Sequence, residues 1–356
     1  MKNKLRICAN IAMLFIAFAI FSGCASTPGG LSPTSSPTDN SQQTTDPSVI
    51  PSPTGSPIPT PPNGFVLPRG GVRPIAVMID NQGKRPLPQG GLNKAQIIYE
   101  CLAEGGITRL MPVFWGNMPE MVGPVRSARD YFVQFAIEHD SIYVHIGWSP
   151  QAKALIPRLG VADVNGLYDS AFWKITNDRN NWQDKYTSFD KVMKIVASRG
   201  YANTTTKDLT FKYNSVMTPL SGSSTKSAKK IGINYNFQAD NRYEYDSATK
   251  LYLRYRNGKK HMERVSGKQL SAGNIIVQYV SNSTIADDHK NRQELNNIGS
   301  GKGWYITCGK AVEIRWSKSG ETSKTRYTYL NGGDLVLNPA QTWIQVVPPS
   351  RPVSIK

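Results

Sequence analysis

The period of apolar positions changes along the chain, and each change marks an element. Pro74-Ile-Ala-Val-Met-Ile79 is apolar throughout. It is too short for a buried helix and predicts a buried strand that exits into Asp80-Asn81. Gln96 to Ala103 and Ile107 to Phe114 predict two further strands joined through Glu104-Gly105-Gly106. A Gly-Gly pair favours a two-residue hairpin because both residues can take positive φ. That register sets Glu104 against Ile107 and Leu102 against Arg109. Alternation then puts Glu100, Glu104 and Arg109 on one face, within cross-strand reach. Pro112 cannot donate to a ladder, so the second strand is expected at an edge or with a bulge there. Ser141 to Trp148 predicts another strand, with Ile142, Val144 and Ile146 alternating against Tyr143, His145 and Gly147.

Helical spacing is rarer. Gly123-Pro-Val-Arg-Ser-Ala-Arg-Asp-Tyr-Phe132 has the pattern of a helix opening. Ser127 and Asp130 have capping-box spacing, and Tyr131, Phe132, Phe135 and Ala136 could face a core. Helices are also expected near Gln151–Leu159 and from Ser188, where Thr187 and Asp190 repeat the spacing, to Gly200 at the C′ position. Further along, residues 231–237, 251–255, 274–279, 304–307, 312–316 and 342–347 alternate or run apolar between turn residues. The chain is therefore expected to be mixed α/β, of the α+β kind, with a mostly antiparallel β second half covering another layer.

Composition places this body outside the cytoplasm. Lys2, Lys4 and Arg6 precede an apolar stretch from Ile11 to Phe21, and Ser22-Gly23 leads to Cys24. This three-part pattern is a secretory signal. A cysteine at the cleavage position predicts a lipobox, with residues 1–23 removed and lipid attached to Cys24 on the outer face of the bacterial cytoplasmic membrane. An uncleaved anchor is the alternative, but the stretch falls short of the ~20 residues a span needs. Residues 24–64 are rich in Ser, Thr and Pro and cannot bury enough apolar surface to offset their ordering entropy. They predict a disordered tether with a mean reach of roughly 35 Å.

About 290 residues remain, more than one core usually supports, so two domains are expected, 65–203 and 204–356. Residues 201–356 carry 23 Lys and Arg against 11 Asp and Glu. A basic distal half points to anionic partners such as wall polymers or lipid head groups. Cys101 and Cys308 fall one in each domain; two separate buried thiols are expected, with a disulfide as the alternative.

Four blocks, Ile75-Ala-Val-Met-Ile-Asp-Asn81, Glu104-Gly-Gly-Ile-Thr-Arg109, Gly123-Pro-Val-Arg-Ser-Ala-Arg129 and Tyr143-Val-His145, follow one another in a distinctive order. Together with Gly299-Ser-Gly-Lys-Gly-Trp304 and Asn338-Pro-Ala-Gln-Thr-Trp343, they resemble the YerB-like lipoproteins of bacteria. The resemblance covers essentially everything after the tether. It implies a three-layer ββα-type sandwich on an envelope lipoprotein, built from paired domains of unknown function, and it transfers no catalytic residue. Phe21 in the lipobox and Ala340 before Thr342-Trp343 depart from the family pattern.

The candidate chemistry centres on Arg126 and Arg129, cations at a helix start that favours anions. One reading is internal pairing with Glu100, Glu104 or Asp80. Another is a ligand site, with Ser127 and Arg109 beside it, where free N–H groups and guanidinium forks grip a muropeptide carboxylate or a polymer phosphate. A third is glycan cleavage, with Glu100 or Glu104 as general acid and Asp80 or Asp130 as its ionised partner. His145, Tyr143 and Asn81 are auxiliary candidates. Gly299-Ser-Gly-Lys-Gly303 lacks the residues of a phosphate loop, so no ATP site is expected. Ser223–Lys226 and Ser247–Lys250 lack a K-T-G partner. Histidines 139, 145, 261 and 289 lack metal-ligand spacing, so neither metal nor cofactor is expected. The preferred reading is a membrane-anchored binding or scaffold module that holds an anionic wall component, a peptidoglycan fragment or a phosphate polymer, through this Arg-lined helix N-terminus. A peptidoglycan-active enzyme and an extracellular nucleic-acid binder are the alternatives. Against the last, Tyr and Trp alternate as in a sheet core and not as in a stacking platform.

Overall fold

A computed structural model describes residues 64–356 apart from residues 182 and 237; the signal segment, Cys24 and the tether before Gly64 lie outside the described residues. In chain order the elements used below are β1 (Ile75–Val77), β2 (Ile79–Asp80), β3 (Ile97–Glu104), β4 (Ile107–Phe114), α1 (Asp130–Glu138), β5 (Ile142–His145), α2 (Pro150–Arg158), β6 (Asp163–Asn165) and α3 (Phe189–Ser198). The second half supplies β7 (Lys230–Asn236), β8 (Ala239–Asp246), β9 (Leu251–Arg256), β10 (Asn274–Tyr279), β11 (Gly299–Thr307), β12 (Lys310–Lys318), β13 (Arg326–Tyr329), β14 (Thr342–Val347) and β15 (Val353–Ile355). The chain is mixed α+β. No helix among the described residues is long and apolar enough to cross a membrane.

One large sheet runs through both halves in the order β12-β11-β10-β14-β3-β4-β1-β5-β6, with β2 against β4 and β13 against β12. β14 lies between β10 and β3 and is parallel to both, so a late strand of the chain knits the two halves together. Period-2 alternation sorts β3 between two cores: Ile97, Tyr99 and Cys101 join one cluster with α1 and α2, and Ile98 and Leu102 join another. In the first, Tyr99 stacks on Phe135 of α1 at 4.7 Å between ring centroids. The second cluster lies against a smaller sheet, β9-β8-β7-β15, and against α3 through Val192 and Val196. The helices α1 and α2, the large sheet and the small sheet with α3 beside it thus form three layers.

Local chemistry explains the helix ends. Ser149 caps α2 by accepting from the Ala152 amide, and Ser188 caps α3 by accepting from the Lys191 amide. Thr187, expected as a cap, instead donates its hydroxyl to the Ala171 carbonyl. Gly200, at φ 65°, ends α3 as expected, and the Tyr201 amide closes the turn on the Val196 carbonyl.

Three expectations are corrected. First, the hairpin forms at Gly105-Gly106, both at positive φ, and Glu104 faces Ile107, but Cys101 and not Leu102 faces Arg109. A bulge at Ala103 inserts one extra residue between Leu102 and Glu104 and flips Glu104 to the other face. Glu100 therefore lies opposite to Glu104 and Arg109. Second, β4 is interior, between β3 and β1. Pro112 is tolerated because β1 and β2 break beside it, where Met78 turns its amide to the Val144 carbonyl and its own carbonyl to the Arg126 amide. Third, α1 begins at Asp130, with Arg129 as an extended N-cap and no side-chain cap, so Ser127 forms no capping box. Cys101 and Cys308 are free, buried thiols.

Candidate functional site

The segment before α1 is an extended strap. Its backbone is stitched to β2 and to the chain after β5: Val125 bridges Ile79, the Ile146 amide donates to the Arg126 carbonyl, and the Ala128 amide donates to the Gly147 carbonyl. This stitching delivers Arg126 and Arg129 to the large sheet, where the bulge at Ala103 presents Glu104 to them. Glu104 takes Arg129 on Oε2, with Arg129 Nε at 2.9 Å and Nη2 closer still. Its Oε1 takes Arg109 Nη2. Arg109 also donates to the Ser127 carbonyl at 2.6 Å, and Arg129 to the Ala128 carbonyl at 2.6 Å. Ser127 thus contributes its backbone. Arg126 pairs with Asp80 Oδ2 at 3.2 Å and remains 19% exposed.

These contacts decide the protonation states. Burial alone would raise the Glu104 carboxyl, but the Arg109 and Arg129 guanidiniums outweigh it and hold its pKa below the ordinary carboxylate range. Burial and the neighbouring Arg129 lower Arg109 to about 10, against the pull of Glu104. A carboxylate kept ionised in this way is the opposite of a general acid poised near neutrality. Burial raises the Asp130 carboxyl.

Glu100 sits on the other side of the sheet, fully buried. It accepts from Thr108 Oγ1 at 2.9 Å, Asn81 Nδ2 at 3.3 Å and Asn241 Nδ2 at 3.0 Å on Oε1. On Oε2 it accepts from Arg254 Nη2 at 2.7 Å and Gln345 Nε2 at 3.0 Å. Arg254 lies 4.1 Å from the centre of the Trp343 ring, and its Nε donates to His261 Nδ1. That bond makes Nδ1 the acceptor, so Nε2 carries the proton and donates to Gln89 Oε1 at 2.7 Å. Burial and the adjacent Arg254 hold His261 well below its usual pKa. A carboxylate sealed under five donors has no route to a substrate.

The other sequence candidates are scattered around these two centres. Asp80 accepts from the Gln82 amide and from Gln183 Nε2. Asn81 joins the Glu100 network. Tyr143 is buried on the α1 side, and burial pushes its pKa up. His145 is buried between the Gly147 carbonyl at 2.8 Å and Asp163 Oδ2 at 3.1 Å. No group of three or more metal-ligating side chains occurs among the described residues.

Sequence reasoning missed a third centre at the end of α1. Glu138 and Lys318, both fully buried and 180 residues apart, pair at 2.8 Å. Glu138 also accepts from Thr325 and Tyr99. A groove of about 1480 Å³ opens alongside, lined by Lys207, Lys212, Lys324 and Arg326 among hydroxyl side chains, with Asp208 and Asp334 as its acids. Lys207 donates to the Ile137 carbonyl at the end of α1, at 2.8 Å, a position that favours cations. Burial lowers the Lys207 pKa, and Lys318 and Lys324 lower it further against the pull of Asp140. Arg326 is exposed and pairs with Asp334. Only the excess of Lys and Arg in the distal half hinted at this groove.

Two family models match, the N-terminal domain of the protein of unknown function DUF3048 over residues 68–202 and its C-terminal domain over residues 231–344. The protein named "Putative lipoprotein YerB" of Bacillus subtilis (strain 168) is 36% identical over 290 residues, spanning 78% of this chain and 81% of that protein. A crystal structure of the YerB protein from Bacillus subtilis, 32% identical, superposes with a TM-score of 0.69 over 80% of this chain and 94% of that one. The chain belongs to the YerB-like lipoprotein family of paired domains of unknown function.

Proposed function

We propose that this lipoprotein is a membrane-tethered binding module that holds an anionic polymer of the bacterial wall and catalyses no reaction on it. The observation that carries the proposal is the groove beside α1. There Lys207, Lys212, Lys324 and Arg326 gather with fewer acids than bases, and burial together with the neighbouring Lys318 and Lys324 lowers the Lys207 pKa. A polyanion laid along such a groove relieves the repulsion between its cations and releases counterions. The net charge of +17 over the whole chain favours the encounter. The strap before α1 plays the supporting part: Arg109 and Arg129 hold Glu104, and Arg126 is the member of the trio with solvent access. Lipid on Cys24 and the tether would hold the groove near the membrane and within the wall.

The test is to incubate the full chain with purified bacterial walls and to measure both pelleting and soluble fragments. Pelleting without release of fragments, reduced in a Lys207→Gln/Lys324→Gln/Arg326→Gln variant, is expected. Release of new reducing ends or cut peptides supports the enzymatic alternative, and equal pelleting of the variant excludes the groove.

A further inference from the structure

A second cavity, separate from the groove beside α1, encloses about 480 Å³ between the loop after β2 and the tip of the β9 hairpin. Asn257 and Gly258 turn that hairpin with φ of 47° and 74°, the two-residue geometry that Asn-Gly favours. The turn sets Arg256 directly opposite Lys259, with Lys260 next to it. Like charges directly opposite one another destabilise a ladder, and no Asp or Glu lines the cavity to offset them. Lys84 adds a fourth cation from the facing loop.

Arg256 is the fixed member of this set. It is 5% exposed, and its two terminal nitrogens donate to the Gly83 carbonyl at 3.0 Å and the Asn81 carbonyl at 2.6 Å. Both partners are neutral. Its buried Nε has no hydrogen-bond partner among the described residues. Burial outweighs the favourable charges of Glu100 and Asp80 and lowers the pKa of the guanidinium, so a further anion at the cavity would stabilise it. Lys84, Lys259 and Lys260 are exposed, with stems long enough to reach such an anion, while Leu87, Pro88 and Met262 supply an apolar wall.

We propose that this cavity is a binding site for a small phosphate ester. Four cations and no acid suit a group that carries more than one charge and presents several acceptor oxygens, which a phosphate does and a single carboxylate does less well. Arg256 supplies a fixed positive charge in the wall, the three lysines donate to the phosphate oxygens and neutralise the remaining charge, and the organic part of the ester rests on Leu87, Pro88 and Met262.

Two probes separate the sources of such a phosphate: glycerol 3-phosphate for a soluble or polymer-derived ester, and dihexanoyl phosphatidic acid below its micellar concentration for a lipid head group. Titration calorimetry of the full chain is expected to show saturable binding of at least one, with none for glycerol. The stronger probe identifies the source. Arg256→Met is expected to abolish binding. Because Arg256 also holds two backbone carbonyls, that variant could fail to fold, so the deciding variant is Lys84→Gln/Lys259→Gln/Lys260→Gln at exposed positions. It is expected to weaken binding by about tenfold or more, the loss of one or more charge-assisted contacts. Absence of saturable binding by the wild type, or equal affinity in the lysine variant, overturns the proposal. Neither result depends on the wall-binding groove, whose residues are different.

Discussion

Glu100 and Arg254 meet at 2.7 Å with no solvent exposure on either side chain, one from the large sheet and one from the small. The pair pins the two β layers together at a point where hydrocarbon would otherwise pack. Its strength lies in the surrounding satisfaction: two further amide donors and a hydroxyl on Glu100 besides Asn81, and an aromatic face under Arg254. Breaking one side leaves the other charge buried and unpaired. Glu100→Gln is expected to lower the unfolding free energy by about 3–5 kcal/mol. The double variant Glu100→Gln/Arg254→Met should cost less than the sum of the single changes, and urea denaturation of all three proteins measures the coupling.

Arg129 gives the corresponding test for the strap. Because it is committed to Glu104, Arg129→Met should destabilise the fold by roughly 1–3 kcal/mol while leaving retention on purified walls unchanged. A stable variant that loses retention would return the helix entrance to the role of ligand site.

Acid should weaken the fold in two stages. His139 is buried and its pKa is lowered to about 4, chiefly by burial, with Lys318, Lys324 and Lys207 adding to that against the pull of Glu138. The unfolded chain takes up a proton on this histidine near pH 6.5, and the folded chain resists until about pH 4. The unfolded state therefore binds more protons in that window, and stability falls as pH drops through it, by roughly 3 kcal/mol for this residue. His261 acts in the same direction. Glu104 and Glu138 have lowered folded pKa values, so the stability they confer is present above the ordinary carboxylate pKa and is lost below it, as pH falls through the folded values. Urea midpoints measured between pH 7 and 4 should decline, and His139→Gln should flatten that decline.

Gly273 and Ala340 test the packing where two segments of the chain approach most closely. A Cβ on Gly273 would lie 2.2 Å from the Ala340 Cβ, and Ala340 is itself buried. Gly273→Ala should cost about 1–3 kcal/mol by overpacking. Gly273→Ala/Ala340→Gly should recover most of that loss in thermal or urea unfolding.

Local signals explain what was legible in the sequence. Gly105-Gly106, Ser188, Gly200 and the alternation of β3, β10 and β14 each act over a few residues, so pattern alone located them. The bulge at Ala103 carries no local signature, yet one inserted residue puts Glu104 on the opposite face from Glu100 and so decides which arginine each can meet. β8 was missed because its pattern is polar: Asn241 turns inward to Glu100, while Arg242 and Glu244 pair with each other outside. The acids near Arg126 and Arg129 were anticipated as partners. Arg254 was not, lying 154 residues from Glu100, and neither was Lys318 against Glu138. Such pairings follow from the insertion of β14 between the halves, a topological fact that no window of sequence contains.

The most direct measurement is the affinity of the full chain for a soluble glycerol-phosphate polymer, followed across a series of salt concentrations. Binding along the groove predicts that log affinity falls linearly with log salt, and that Lys207→Gln/Lys324→Gln weakens binding and flattens the slope by about one for each lysine that meets a phosphate. Affinity that ignores salt, or a double variant with the wild-type slope and strength, would contradict it.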